Sequence, residues 1–143
     1  MKNLSLVAVV LFIFTTSFVG APTGENESGV HFRDLSFSEA IKAAEKEGKI
    51  VFLDAYASWC GPCKWMEGHT FQSEKVGTVF NEHFVSIKID MEKGEGPKLA
   101  QKYQVRAYPT MFLINPKNGS VNKRILGMQR EQAMLDAVKE FTE

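Results

Sequence analysis

Ile50-Val51-Phe52-Leu53-Asp54-Ala55-Tyr56-Ala57-Ser58-Trp59-Cys60-Gly61-Pro62-Cys63-Lys64 is the stretch that decides the fold of this chain. It opens on four apolar residues without alternation. Such a run reads as a strand buried on both faces, and so central in its sheet. A loop follows, and a helix is expected to begin at Cys60. Pro62 fits its first turn, where the missing N–H costs nothing. Open α/β sheets place their sites where a strand ends and a helix starts, and two cysteines stand there.

Upstream, Ser36-Phe37-Ser38-Glu39 is a capping-box pattern. It opens a helix to about Glu47, with Phe37, Ala40, Ile41 and Ala44 at helical spacing and Gly48 as its stop. A strand near Val30 to Arg33 precedes it. Downstream, Val76, Val79 and Phe80 mark a helix over Ser73–Asn81, and Phe84 to Ile89 alternates as a strand. Glu92 to Gly96 reads as a polar, solvated loop. Glu92, Glu95 and Asp90 lack the ligand spacing of a cation site. A short helix over Pro97–Tyr103 follows, then strands at Thr110–Ile114 and Val121–Ile125 joined by the turn Asn115–Gly119. Met134, Leu135, Val138 and Phe141 share one face of a last helix, Glu131–Phe141. The order βαβαβαββα predicts an α/β domain, a mixed sheet with helices on both faces.

The chain has 143 residues, room for one ordinary domain. Its 44% apolar and 24% charged content is that of a globular protein. With 17 basic and 17 acidic residues it offers no electrostatic case for nucleic acid or an anionic membrane surface. A monomer is expected. Lys2 is the only charge in the first twenty-one residues, Leu4 to Phe14 is nearly all apolar, and Val19-Gly20-Ala21 supplies small residues for cleavage. This is the pattern of a secretory signal. An uncleaved anchor is the alternative, but the run is short for a span. The expected organisation is a cleaved signal peptide over 1–21, a flexible leader over 22–29 and one domain over 30–143, in the periplasm or secreted.

Export implies an oxidising compartment, yet the chain has only two cysteines. A disulfide between Cys60 and Cys63 would close a tiny loop and add little stability. The pair must be explained by reactivity or by metal. Zinc usually asks for four ligands, and His31, His69 and His83 make no paired motif with the cysteines. A thiol at a helix N-terminus faces free N–H groups and the positive end of the dipole, which favour the thiolate that attacks disulfides. Cys60 has that position and is assigned as nucleophile. Cys63, one turn on, can attack the mixed disulfide. Gly61 and Pro62 permit the tight loop and stiffen the helix start. Asp54 ends an apolar run, where burial costs a charged carboxylate heavily and raises its pKa. A near-neutral carboxyl behind the cysteines could take and return the proton of Cys63. A strand-end Asp reaching solvent is the plainer alternative. His69 reads as a surface residue, and Trp65 and Met66 as packing. Tyr108-Pro109-Thr110 precedes a strand, and by itself an ordinary trans turn is the default there.

Taken together, Trp59-Cys60-Gly61-Pro62-Cys63-Lys64, Asp54 six positions before Cys60, Tyr108-Pro109-Thr110 and Gly127 resemble the thioredoxin superfamily over roughly Phe32 to Phe141. The resemblance implies the thioredoxin fold, disulfide exchange through Cys60 and Cys63, and no cofactor or metal. It implies that Pro109 is cis beside the cysteines, that the backbone at Tyr108 pairs with an extended substrate, and that Trp59 belongs to a docking surface. The expected substrate-binding set is Trp59, Gly61, Pro62, Tyr108 and Pro109. Cys63 to Phe71 and the Glu92–Gly96 loop also resemble the C-terminal domain of transmembrane electron-transfer reductases. The Gly-Pro dipeptide resembles reducing members. A reductase of disulfides in exported proteins is implied, with a membrane electron-transfer protein as donor. The oxidase or isomerase direction and a non-enzymatic binding module are the alternatives. One departure stands out. The buried Lys of cytosolic thioredoxins aligns with Ser86, and Lys88, two residues on, shares its strand face.

Overall fold

The computed structural model describes residues 28–143. The expected signal peptide and residues 22–27 of the expected leader lie outside the described residues. The apolar run becomes β1, Ile50–Tyr56, with its five middle residues buried. Alternation along it serves two cores. Val51, Leu53 and Ala55 pack with Phe37, Ala40 and Ala44 of α1, Phe37–Glu47. Phe52 points the other way, among Met66, Phe80, Met111 and Met134. Side chains on a strand alternate between faces, so Asp54 shares the face of Phe52, which is the face carrying the cysteine helix.

Helix α1 starts as its capping box requires, with the Ser36 side chain taking the Glu39 N–H and Glu39 returning to Ser36, and Gly48 closes it in the left-handed conformation. The cysteine helix α2 spans Gly61–Gly68, and a single turn of tighter helix at Thr70–Gln72 leads to α3, Glu74–His83. Strand β2 is Phe84–Asp90 and α4 is Gly96–Lys102. Strands β3, Thr110–Ile114, and β4, Val121–Leu126, form the hairpin before α5, Glu131–Val138. The sheet order is β2-β1-β3-β4, with β1 central, parallel to β2 and antiparallel to β3. The fold is that of thioredoxin, a mixed sheet flanked by helices.

Two elements differ from expectation. The strand near Val30 to Arg33 shrinks to one bridge, Phe32 to Ser86. Its neighbouring donors go elsewhere: Val30 N–H to Phe71 O and His31 N–H to the Asn81 side chain. Donors spent on the Thr70–Gln72 turn and on a side chain cannot extend a ladder, and only Arg33 N–H reaches β2, at Ser86 O. The last helix ends at Val138, and Lys139–Phe141 tightens into a 3₁₀ turn. The apolar spacing at Phe141 survives that change, since a 3₁₀ turn still returns it toward the core.

Candidate active site

The loop after β1 turns back on itself through a Cys60 N–H to Ala57 O bond, which sets Cys60 at the N-cap of α2 in an extended conformation. There its Sγ accepts the Cys63 N–H at 3.2 Å. Pro62 occupies the first turn as expected, and Gly61 and Pro62 both face solvent. Cys60 and Cys63 are joined as a disulfide, with Cα atoms 5.3 Å apart. Cys60 exposes only 2% of its surface. Ala57, Tyr56 and Tyr108 pack around the pair.

The wall opposite comes from the segment before β3. Tyr108-Pro109 is a cis peptide, and Pro109 is buried. The turn is pinned from two sides. Thr110 Oγ1 donates to Ala107 O at 2.7 Å. Pro109 O accepts the Gly127 N–H at 2.9 Å. Tyr108 meets Trp59 edge to face, ring centroids 5.9 Å apart. Thus Trp59 and Tyr108, far apart in sequence, come together beside the disulfide.

Behind the cysteines lies a cavity of about 240 Å³, lined by Asp54, Cys63, Glu67, Lys88, Tyr56 and Ser58 among others. Asp54 exposes 4% of its surface, and its Oδ1 has no hydrogen-bond partner among the described residues. Burial pushes its pKa up to about 7, against a downward pull from Lys88 and an upward push from Glu67. The register settles what stands beside it. Lys88 is the β2 partner of Asp54, and Ser86 is the partner of Phe52. Ser86 is buried, with its hydroxyl unpartnered among the described residues. Lys88 therefore faces the same cavity as Asp54 from half-buried ground. Its ammonium also lies 4.9 Å from the centre of the Tyr56 ring and pairs with Glu67.

His69 lies off the site, exposed, stacked on Trp65 at 4.4 Å. Met66 is core. Sequence reasoning missed Glu67, Glu92 and Lys93. Glu67 follows Cys63 by four residues, one helical turn, which was the available signal. Glu92 and Lys93 carried none, because their partners Trp59 and Ser58 lie more than thirty residues away.

A family model described as Thioredoxin matches residues 29–140. A thioredoxin of Mycolicibacterium smegmatis is 32% identical over 111 residues, covering 78% of this chain and 92% of that protein. A candidate disulphide-isomerase of Bacteroides thetaiotaomicron, solved in solution, is 46% identical with a TM-score of 0.72, covering 81% of this chain and 95% of that one. The oxidised C-terminal domain of Neisseria meningitidis DsbD is 25% identical with a TM-score of 0.62, covering 78% and 98%.

Proposed function

Because this chain belongs to the thioredoxin family, a thiol–disulfide oxidoreductase whose redox chemistry resides in the Cys60–Cys63 pair, we propose that it reduces disulfides in exported proteins. The observation that carries this reading is the placement of Cys60 Sγ at the mouth of α2 with Cys63 and Asp54 on one cavity behind it. In the reduced enzyme the Cys60 thiolate attacks one sulfur of the substrate disulfide. The S–S bond breaks, the leaving thiolate takes a proton from water, and a mixed disulfide forms. Asp54, ionised at that moment, takes the proton of Cys63. The Cys63 thiolate attacks Cys60 Sγ, closing the Cys60–Cys63 disulfide and releasing the second substrate thiolate. Two electrons have passed to the substrate, so the enzyme needs two back. Trp59, Gly61, Pro62, Tyr108 and Pro109 form the rim where the substrate lies.

The signal-like first twenty-one residues support export. The resemblance of Cys63–Phe71 to reductase terminal domains, and the likeness to a DsbD C-terminal domain, support a membrane electron-transfer protein as donor. A second reading, disulfide isomerisation, is favoured by the 46% identity to the Bacteroides candidate isomerase. The reduction potential of the pair, equilibrated with glutathione, separates the two. A value near roughly −270 mV is expected of a reductase. One near −180 mV or above, about that of isomerases and oxidants, would overturn the reducing direction.

A further inference from the structure

The loop between β4 and α5 is tied to the cysteine helix behind the reacting sulfurs. We propose that Thr70 is a positioning residue for protein substrates, acting by fixing the spacing between α2 and the Pro109 turn; this rests on the reading of Tyr108 and Pro109 as a docking edge.

Thr70 opens the 3₁₀ turn that follows α2. It exposes 2% of its surface, and a hydroxyl so buried needs a partner. A threonine in a helix can return its hydroxyl to a carbonyl one turn back, as Thr78 does to Glu74 O at 2.9 Å. Thr70 instead reaches across the fold and donates to Gln129 O at 2.6 Å. Gln129 is also met from α2 itself, since its N–H donates to the buried Met66 Sδ at 3.4 Å. Sulfur is a weak acceptor, so the Thr70 hydroxyl is the stronger tie.

Gln129 passes that tie to the docking edge. Its side-chain amide donates to Leu126 O at 3.2 Å and to Gly127 O at 3.3 Å. Gly127 turns the chain in the left-handed conformation, and its N–H holds Pro109 O at 2.9 Å. Strand β4 has ended at Leu126 and α5 begins only at Glu131. The loop between them has no ladder to hold it and depends on these cross-bonds for its place. Cys60 caps one end of α2, and Thr70 stands just past the other. The helix that carries the cysteines is thereby joined to the turn that faces them.

The test uses the full reduced protein with dithiothreitol as donor, and two probes, insulin and the small disulfide 5,5′-dithiobis(2-nitrobenzoate). Thr70→Val keeps the side-chain shape and loses the donor. It is expected to raise KM for insulin about five-fold, the worth of one hydrogen bond, with kcat unchanged and the small probe unaffected. Thr70→Ser, which keeps the hydroxyl, should restore KM. In hydrogen-exchange NMR, the Gly127 amide should exchange faster in Thr70→Val than in Thr70→Ser. Gln129→Ala removes the two side-chain bonds without touching the core and should raise the insulin KM in the same way, which keeps the test open if Thr70→Val does not fold. An unchanged insulin KM in the folded Thr70 and Gln129 variants, beside a raised KM in Tyr108→Ala, overturns the positioning role alone. An unchanged KM in Tyr108→Ala overturns the docking reading and the proposal with it. Equal loss on both probes would place the effect at the cysteines and also overturn it.

Discussion

Replacing Cys60 with serine is expected to abolish disulfide reduction, a loss on the order of 10⁴-fold or more, while Cys63→Ser stops after the first step and holds its substrate. The difference follows from position. The Cys60 sulfur accepts the Cys63 N–H at 3.2 Å and caps α2, so backbone donors and the helix dipole favour its anion. Serine at the same place has a hydroxyl too weakly acidic to be an anion near neutrality, and oxygen does not form the exchangeable bond. Cys63 has no helix end of its own and faces the inner cavity, where it can reach Cys60 but not a docked substrate. Cys63→Ser should therefore accumulate a mixed disulfide through Cys60, read as a reductant-sensitive shift on a denaturing gel and identified by mass. Exported proteins should dominate the trapped set. Trapping by Cys60→Ser instead would reverse the two roles. Full biological function in the double serine variant would favour the non-enzymatic binding module.

Much of this was legible because the decisive signals are local. Four apolar residues and an aspartate announce a central strand, and β1 is central, with β2 on one side and β3 on the other. Ser36 and Glu39 announce a helix start and make both capping bonds. The cysteine pair with Pro62 announces the start of α2. What stayed hidden depends on chain meeting chain. The cis bond at Pro109 was available only through family resemblance, since the isomer is chosen by packing around the turn. The Val30–Arg33 segment looked strand-like, but the Val30 and His31 donors are claimed by Phe71 and Asn81, which no local pattern reveals. The loop at Glu92 looked like solvent-facing charge, and only the meeting of distant chain segments brings its carboxylate to the Trp59 indole. The departure at Ser86 was visible, with Lys88 placed on the same face. Its meaning needed the register, which seats Lys88 beside Asp54.

Asp54→Asn is expected to slow the resolving step about 10²-fold near neutral pH, the lower range for losing a positioned acid–base group, while making the folded protein more stable above pH 7. Both effects come from one buried carboxyl. Its pKa rises from 3.8 in the free side chain to about 7 in the fold, burial being the largest cause. Between those values the native state holds a proton that the unfolded chain has released. Native stability therefore falls as pH climbs from about 4 to 7 and levels off beyond, where the full penalty of the buried anion is in place. A rise of about three pKa units corresponds to at most about 4 kcal/mol. Asparagine cannot ionise, so the gap in unfolding free energy between variant and wild type, both oxidised, should widen by up to that amount between pH 4 and 8 in urea titrations. The kinetic half has its own signature. Wild-type release of a trapped mixed disulfide should accelerate through pH 7 as Asp54 becomes able to accept the Cys63 proton. In Asp54→Asn that inflection should vanish, and the rate should recover only as pH approaches the thiol's own range, about 8.5. Lys88→Met removes the cation that pulls Asp54 down, so the wild-type inflection should move upward in that variant. Retention of the inflection near 7 in Asp54→Asn would assign it to another group, and a flat stability difference across the same range would mean that the carboxyl is hydrated and no store of protons for Cys63.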